Sequence, residues 1–260
     1  MTPDMPLFIV IAGVFGAMIG SFLNVCILRW GAEPKESIVR PPSHCPKCGV
    51  GLQWYDNIPI VSWLVLRGRC RGCQAPISVQ YPLVELLTAL IWAFMVWRHG
   101  PSPEALRGAV FATVLLGIAM TDARAYIIPD EFSLGGLALG ILFALAAGKQ
   151  ALGVALLGGA VGFGLLWLVA IAGEWMFKQE AMGGGDIKMM AMVGAFLGWQ
   201  GTLLTIFLGA LIGSLIFVPL SLMGKKKLVP FGIFLAIGAA ATDLVGPMIL
   251  SWYAAYLVRA

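Results

Sequence analysis

The chain has 260 residues, 60% of them hydrophobic and 12% charged, with a formal net charge of +4 and a mean hydropathy of +0.90. A soluble domain of this size does not need that much apolar surface, and the alternating pattern of a membrane barrel is absent, so the composition implies an all-α polytopic membrane protein. The 33 glycines suit close approach of spanning helices, and no nucleic-acid partner is expected.

A window of about 20 residues per span marks about eight transmembrane helices, at 6–28, 82–97, 105–121, 132–147, 151–172, 187–199, 202–223 and 229–253. The sixth is short, and Gly201 barely separates it from the seventh. The first is read as a retained span: no basic region precedes it, and it runs into Cys26-Ile-Leu28 without a small-residue cleavage site. Residues 1–28 are therefore the first transmembrane helix, 29–81 a small extramembrane domain, and 82–260 the remaining membrane domain.

Within 29–81, Cys45-Pro-Lys-Cys48 and Cys70-Arg-Gly-Cys73 repeat a C-x2-C knuckle. Two knuckles supply four thiolates for a tetrahedral zinc site, and the metal would offset the ordering entropy of a segment too short to build much core. Two disulfides or free thiols are the alternatives, and a cytosolic placement disfavours disulfides. Lys47, Arg69 and Arg71 are expected to temper the charge of the tetrathiolate. His44 adjoins Cys45 but is not needed as a ligand, and Cys26 reads as a small buried residue of the first span.

Basic residues set the orientation. Lys35, Arg40, Lys47, Arg67, Arg69 and Arg71 lie in the first loop, and alternation assigns Arg124, Lys178 and Lys225-Lys226-Lys227 to the same side. Only Arg98, Arg107, Lys149 and Arg259 fall opposite. The N-terminus is thus expected outside, with the cysteine domain, Asp122 and Asp186 at the cytosolic border.

Asp122 and Asp186 each stand at the edge of a long apolar run, where an ionisable group asks for a functional reason. Pro129 should break the helix between Asp122 and Asp130. Gly183-Gly-Gly185 supplies permissive backbone before a helix that starts at Asp186. Two aspartates brought together can hydrolyse a peptide bond with water alone, one taking a proton while the other hydrogen-bonds the carbonyl, and they should titrate as a coupled unit. The bland reading is a helix cap or border residue, and it is strongest for Asp130. Lys188 is expected to snorkel to the interface or to tune the charge of the pair.

Asp122-x6-Pro129-Asp130 together with Gly183-x-Gly185-Asp186-x-Lys188 resembles the signature of the type IV prepilin peptidases, within the GxGD class of membrane aspartyl proteases. The resemblance implies that Asp122 and Asp186 are the catalytic dyad and that 82–260 is a peptidase domain. Gly20-Ser-Phe-Leu-Asn-Val25, Trp54-Tyr-Asp-Asn-Ile-Pro59, Ser62-Trp-Leu-Val-Leu-Arg-Gly-Arg-Cys70 and Tyr81-Pro-Leu-Val-Glu85 are similar to the N-terminal region of the bifunctional members. Those members also N-methylate the new amino terminus with S-adenosylmethionine. The implied substrate is a type IV prepilin or a type II secretion pseudopilin, a basic leader followed by an apolar helix, met in the lipid of the bacterial inner membrane. Asp130, Glu131, Glu174 and Glu180 are the acidic groups expected to meet the leader.

The methyl donor's pocket has no motif, since no glycine-rich loop follows a strand. Asn24 and Glu85, polar residues at span borders near the cysteines, are its candidates, against the commoner role of helix packing. A transporter with a zinc ribbon is the rival from another class, but the spans are nearly free of mid-depth charge and no inverted repeat is visible between the halves. An assembly scaffold without catalysis is the third reading; it predicts that asparagine at Asp122 or Asp186 leaves cleavage intact.

Overall fold

The computed structural model describes residues 4–179, 182–222 and 230–259; the Lys225-Lys226-Lys227 cluster, Glu180 and the expected helix start at Val229 lie outside the described residues. The helices are Met5–Trp30 (α1), Val61–Val65 (α2), Gln80–His99 (α3), Pro103–Ala125 (α4), Asp130–Ala147 (α5), Lys149–Phe177 (α6), Gly184–Leu222 (α7) and Phe231–Arg259 (α8). A 3-10 turn covers Trp54–Asn57. No strand is formed among the described residues, only the isolated bridges His44 to Gly51 and Arg69 to Pro76.

Seven of these helices are long and apolar enough to cross a membrane, and the difference from about eight lies in α7. A straight helix of its 39 residues would measure about 58 Å, nearly twice a hydrocarbon core of about 30 Å. It is not straight. Gly198 has φ 71° and ψ 176°, a conformation that glycine adopts without steric penalty.

Neighbours on each side of Gly198 reveal a hairpin. A methyl group on Gly162 of α6 would strike the carbonyl oxygen of Met190, before the bend, and would also sit 3.2 Å from Thr202 Cγ2, after it. Gly185, at the start of α7, and Gly232, at the start of α8, both close on Ile128, while Gly213 faces the Phe234 ring. Residues 185 and 213 therefore lie at one end of the bundle and Gly198 at the other. The expected sixth and seventh spans are both there, joined by a one-residue bend in place of a loop.

The chain divides into two compact units, Met1–Thr113 and Val114–Ala260, with the division inside α4. In the first, Gly16 and Gly20 let α1 lie on α3: an added Cβ would come within 2.8 Å of the Thr88 carbonyl and 2.7 Å of the Glu85 Cα, respectively. Thr88 and Val84 are fully buried in that contact, and the Trp92 indole N–H donates to Thr113 Oγ1 at 3.1 Å. In the second unit, Gly158 and Gly194 meet backbone to backbone between α6 and α7. Met189, Met190, Met192 and Val193 have no exposed surface. The glycines replace side-chain interdigitation by close backbone approach, as membrane helices use them.

Candidate active site

The second unit gathers the end of α4 and the starts of α5, α7 and α8 at one end. Asp122 lies in the last turn of α4, which runs on to Ala125, four residues past the expected span end, and the break falls between Asp122 and Asp130 as Pro129 implied. Tyr126 turns the chain with φ 56°, and Pro129, extended at ψ 140°, leads into α5. Proline has no N–H to leave unsatisfied there, which is why the connector ends at that residue.

Asp122 is 5% exposed. Its Oδ2 accepts a hydrogen bond from the Ile233 amide at 3.1 Å, in the first turn of α8, where amides have no intrahelical acceptor. An added Cβ on Gly232 would lie 2.9 Å from the same oxygen and 2.8 Å from Ile128 Cδ1. Only glycine allows α8 to come this close.

Asp186 is the third residue of α7, and its amide donates to the Gly183 carbonyl at 3.2 Å. Its carboxylate is close enough for the charge of Asp122 to act on it. Its Oδ1 is buried and has no hydrogen-bond partner among the described residues, an expensive state for a carboxylate oxygen that calls for an explanation. Ile128 is the wedge between the segments: it is 9% exposed, and its Cβ stands 2.9 Å from where a Gly185 Cβ would be. The two aspartates thus meet at one border with an apolar spacer beside them.

The Lys188 Nζ donates to both carboxylate oxygens of Asp130, at 2.8 and 3.0 Å, and both side chains stay partly open to solvent. Glu174 is exposed at the end of α6.

Sequence reasoning missed Ile128, Gly232 and Ile233. A signal was present for two of them: Pro230-Phe-Gly232 opens the last apolar run in the manner of a helix start.

The cysteine cluster belongs to the first unit. The four Sγ atoms lie within 4.8 Å of one another, with Cys45 and Cys73 at 3.8 Å and Cys48 and Cys70 at 4.0 Å; all four are free thiols. Four sulfurs at about 2.3 Å from a zinc ion define a tetrahedron with edges of about 3.8 Å, so the spacing fits. The knuckles share one backbone pattern: Cys45 N–H donates to Val50 and Gly49 N–H to Cys45, as Cys70 N–H does to Ala75 and Gln74 N–H to Cys70. Gly49 and Gln74 supply the left-handed residue of each turn.

Amides of Cys48 and Lys47 hold the Cys45 thiol down to about 6. The amide of Val50 pulls on Cys48 in the same direction, but burial and the hydrogen bonds of the neighbouring thiols outweigh it and push Cys48 up to about 11. Thiolates so crowded need a cation to coexist. Arg71 does not supply it: its guanidinium bonds Asp56 at 2.8 Å and lies over the Tyr55 ring, so the Asp56 carboxylate holds it even more firmly charged. His44 is tied to the Pro42 carbonyl.

Asn24 on α1 and Glu85 on α3 both lie in the contact between those helices. Both are buried, and their bonds run to protein groups. The Asn24 amide donates to the Gly20 and Tyr81 carbonyls at 3.3 and 3.0 Å, while Glu85 Oε2 accepts the Ile60 N–H at 2.7 Å. The Asn24 bond to Tyr81 ties α1 to the first turn of α3, and the Glu85 bond ties the middle of the cysteine domain to α3, an arrangement that fits a structural tie better than a grip on a methyl donor.

Comparison with known proteins agrees with this division. Residues 14–99 match the bacterial peptidase A24 N-terminal domain, and residues 109–218 match the type IV leader peptidase family. The chain is 43% identical over 211 residues to the prepilin leader peptidase/N-methyltransferase of Myxococcus xanthus, a match that covers 81% of this chain and 62% of that protein. It is 38% identical over 265 residues to the protein of the same name from Aeromonas hydrophila, covering 92% and 91%. The corresponding Neisseria gonorrhoeae protein is 36% identical over 230 residues, with 80% of each covered. No solved structure matches the chain.

Proposed function

This chain belongs to the type IV leader peptidase family, and from that premise we propose that it is a bifunctional enzyme of the bacterial inner membrane. It cleaves the leader from a type IV prepilin or type II secretion pseudopilin and then N-methylates the new amino terminus. Asp122 and Asp186 carry the hydrolysis. The single observation that supports them most is the buried, unpartnered Oδ1 of Asp186 beside the charge of Asp122.

The two carboxyl groups hold one proton between them. The ionised member takes a proton from water as the water oxygen bonds to the scissile carbonyl carbon. The protonated member hydrogen-bonds the carbonyl oxygen and stabilises the charge that develops there. Proton return to the amide nitrogen then breaks the C–N bond and leaves a leader carboxylate and a free amine. Ile128 sets an apolar wall beside the pair, and the amide of Ile233 fixes one oxygen of Asp122 throughout.

Placement at a membrane border suits the substrate. The apolar helix of a prepilin rests in lipid while its basic leader emerges at the same depth as the dyad. The N-terminus lies outside, and the cysteine domain and dyad face the cytosol, in keeping with the distribution of basic residues.

Zinc in the cysteine domain is held by Cys45, Cys48, Cys70 and Cys73 and closes two knuckles that have little core of their own. S-adenosylmethionine, when bound, would supply an electrophilic methyl group to the free amine, departing as S-adenosylhomocysteine while the amine gives up a proton. Asn24 and Glu85 would serve the methylation half by tying its domain to the spans.

Mass spectrometry of a co-expressed prepilin tests both halves, because the N-terminal mass reports leader loss and the added methyl separately. Normal processing by Asp122→Asn and Asp186→Asn variants that still insert and bind metal would overturn the dyad and favour a scaffold.

A further inference from the structure

Two side chains fasten the first turn of α7 to the connector that follows Asp122. One is Ile128, wedged against Gly185. The other is Asp130, the first residue of α5, whose carboxylate takes Lys188 at 2.8 and 3.0 Å. Lys188 stands two residues after Asp186 and so shares its turn of helix, while Asp130 stands one residue after Pro129.

We propose that the Asp130–Lys188 ion pair is a positioning device that fixes Asp186, through the first turn of α7, against the end of α4 that carries Asp122. Three physical points support it. The segment before Asp186 is Gly183-Gly-Gly185, backbone with no side chain of its own to anchor it and a large freedom to lose. A lysine nitrogen held astride both oxygens of one carboxylate fixes the distance between the two side chains at its end of the turn. Among the described residues no hydrogen bond reaches the Asp186 Oδ1, which leaves the placement of that oxygen to the helix on which it sits.

The pair contributes geometry more than stability. Its side chains are 38% and 47% exposed, and ion pairs so open to solvent are worth little to folding. Hydrolysis is more demanding, because a displacement of about 1 Å in a reacting group can cost about a hundredfold in rate. Asp130 and Lys188 touch neither substrate nor reacting atoms and are positioning residues. The inference rests on the proposed dyad, and it can fail while the dyad stands.

The test is prepilin cleavage by the full-length enzyme in proteoliposomes, with Asp130→Asn, Lys188→Met, the exchanged pair Asp130→Lys with Lys188→Asp, and the conservative Lys188→Arg. The single neutral variants should lose between about tenfold and a hundredfold in kcat, with KM and the unfolding temperature near wild type. Lys188→Arg, which keeps the cation, and the exchanged pair, which restores attraction, should each recover at least half of the loss on a logarithmic scale. Wild-type kcat in both single variants, or a loss that neither compensating variant recovers, overturns the inference. A fall in unfolding temperature that tracks activity also overturns it, since that is the signature of a stabilising role. Asp122→Asn, run alongside, separates the two claims: if it cleaves normally, the dyad falls first.

Discussion

The cysteine cluster and the aspartate pair are built by opposite strategies. The four thiols come from a stretch of chain in which each knuckle closes on itself through its own backbone, Cys45 with Gly49 and Val50, Cys70 with Gln74 and Ala75. The aspartates come from the end of one long helix and the start of another, and their setting also draws on the first turn of α8 and a wedge from the connector. A locally closed site tolerates changes elsewhere and fails when a ligand is lost. A convergent site depends on every surface that guides the segments together, so it can be damaged by residues that perform no chemistry.

The largest effect should come from the dyad itself. Asp122→Asn or Asp186→Asn should lower leader cleavage by at least about a thousandfold, within the range of a lost acid–base partner, while metal content and insertion stay normal by elemental analysis and membrane fractionation. Next comes a change that touches no reacting group. Gly232→Ala places a methyl 2.9 Å from Asp122 Oδ2 and 2.8 Å from Ile128 Cδ1, and overpacking of this kind costs about 1–3 kcal/mol. Cleavage should fall about tenfold or more in a steady-state assay with methylation of an already cleaved pilin retained; equal loss of both activities would erase the contrast between convergent and local sites.

Cys45→Ser or Cys70→Ser should do the reverse, releasing the metal and impairing methylation more than cleavage, as read from the two N-terminal mass shifts. Gly198→Ala probes the bend at φ 71° and ψ 176° and should cost about 1–3 kcal/mol in a denaturation experiment. Smallest is Arg71→Ala, which removes an ion pair whose arginine is 54% exposed; a change of no more than about 1 kcal/mol is expected by calorimetry.

Legibility followed the same contrast. The two C-x2-C knuckles could be read from spacing because their geometry is local, and each apolar run could be read because a bilayer imposes its own length. The partner of Lys188 was not legible, because Asp130 lies far along the chain and the packing of α5 against α7 brings the two together. Asn24 and Glu85 stood out as polar residues near span borders, but the first finds Tyr81 through the packing of α1 on α3, and the second finds Ile60 through the way the cysteine domain folds back on α3.

Composition and hydropathy alone determined an all-helical membrane chain, its spans and its thiol cluster, since those follow from solvent and from short covalent spacing. The tertiary structure decided that α7 doubles back at Gly198, that α8 lends an amide to Asp122, and that Ile128 stands between the glycines of two helix starts. Those outcomes depend on which small residues face each other across helices distant in sequence, and no local pattern of residues encodes that choice.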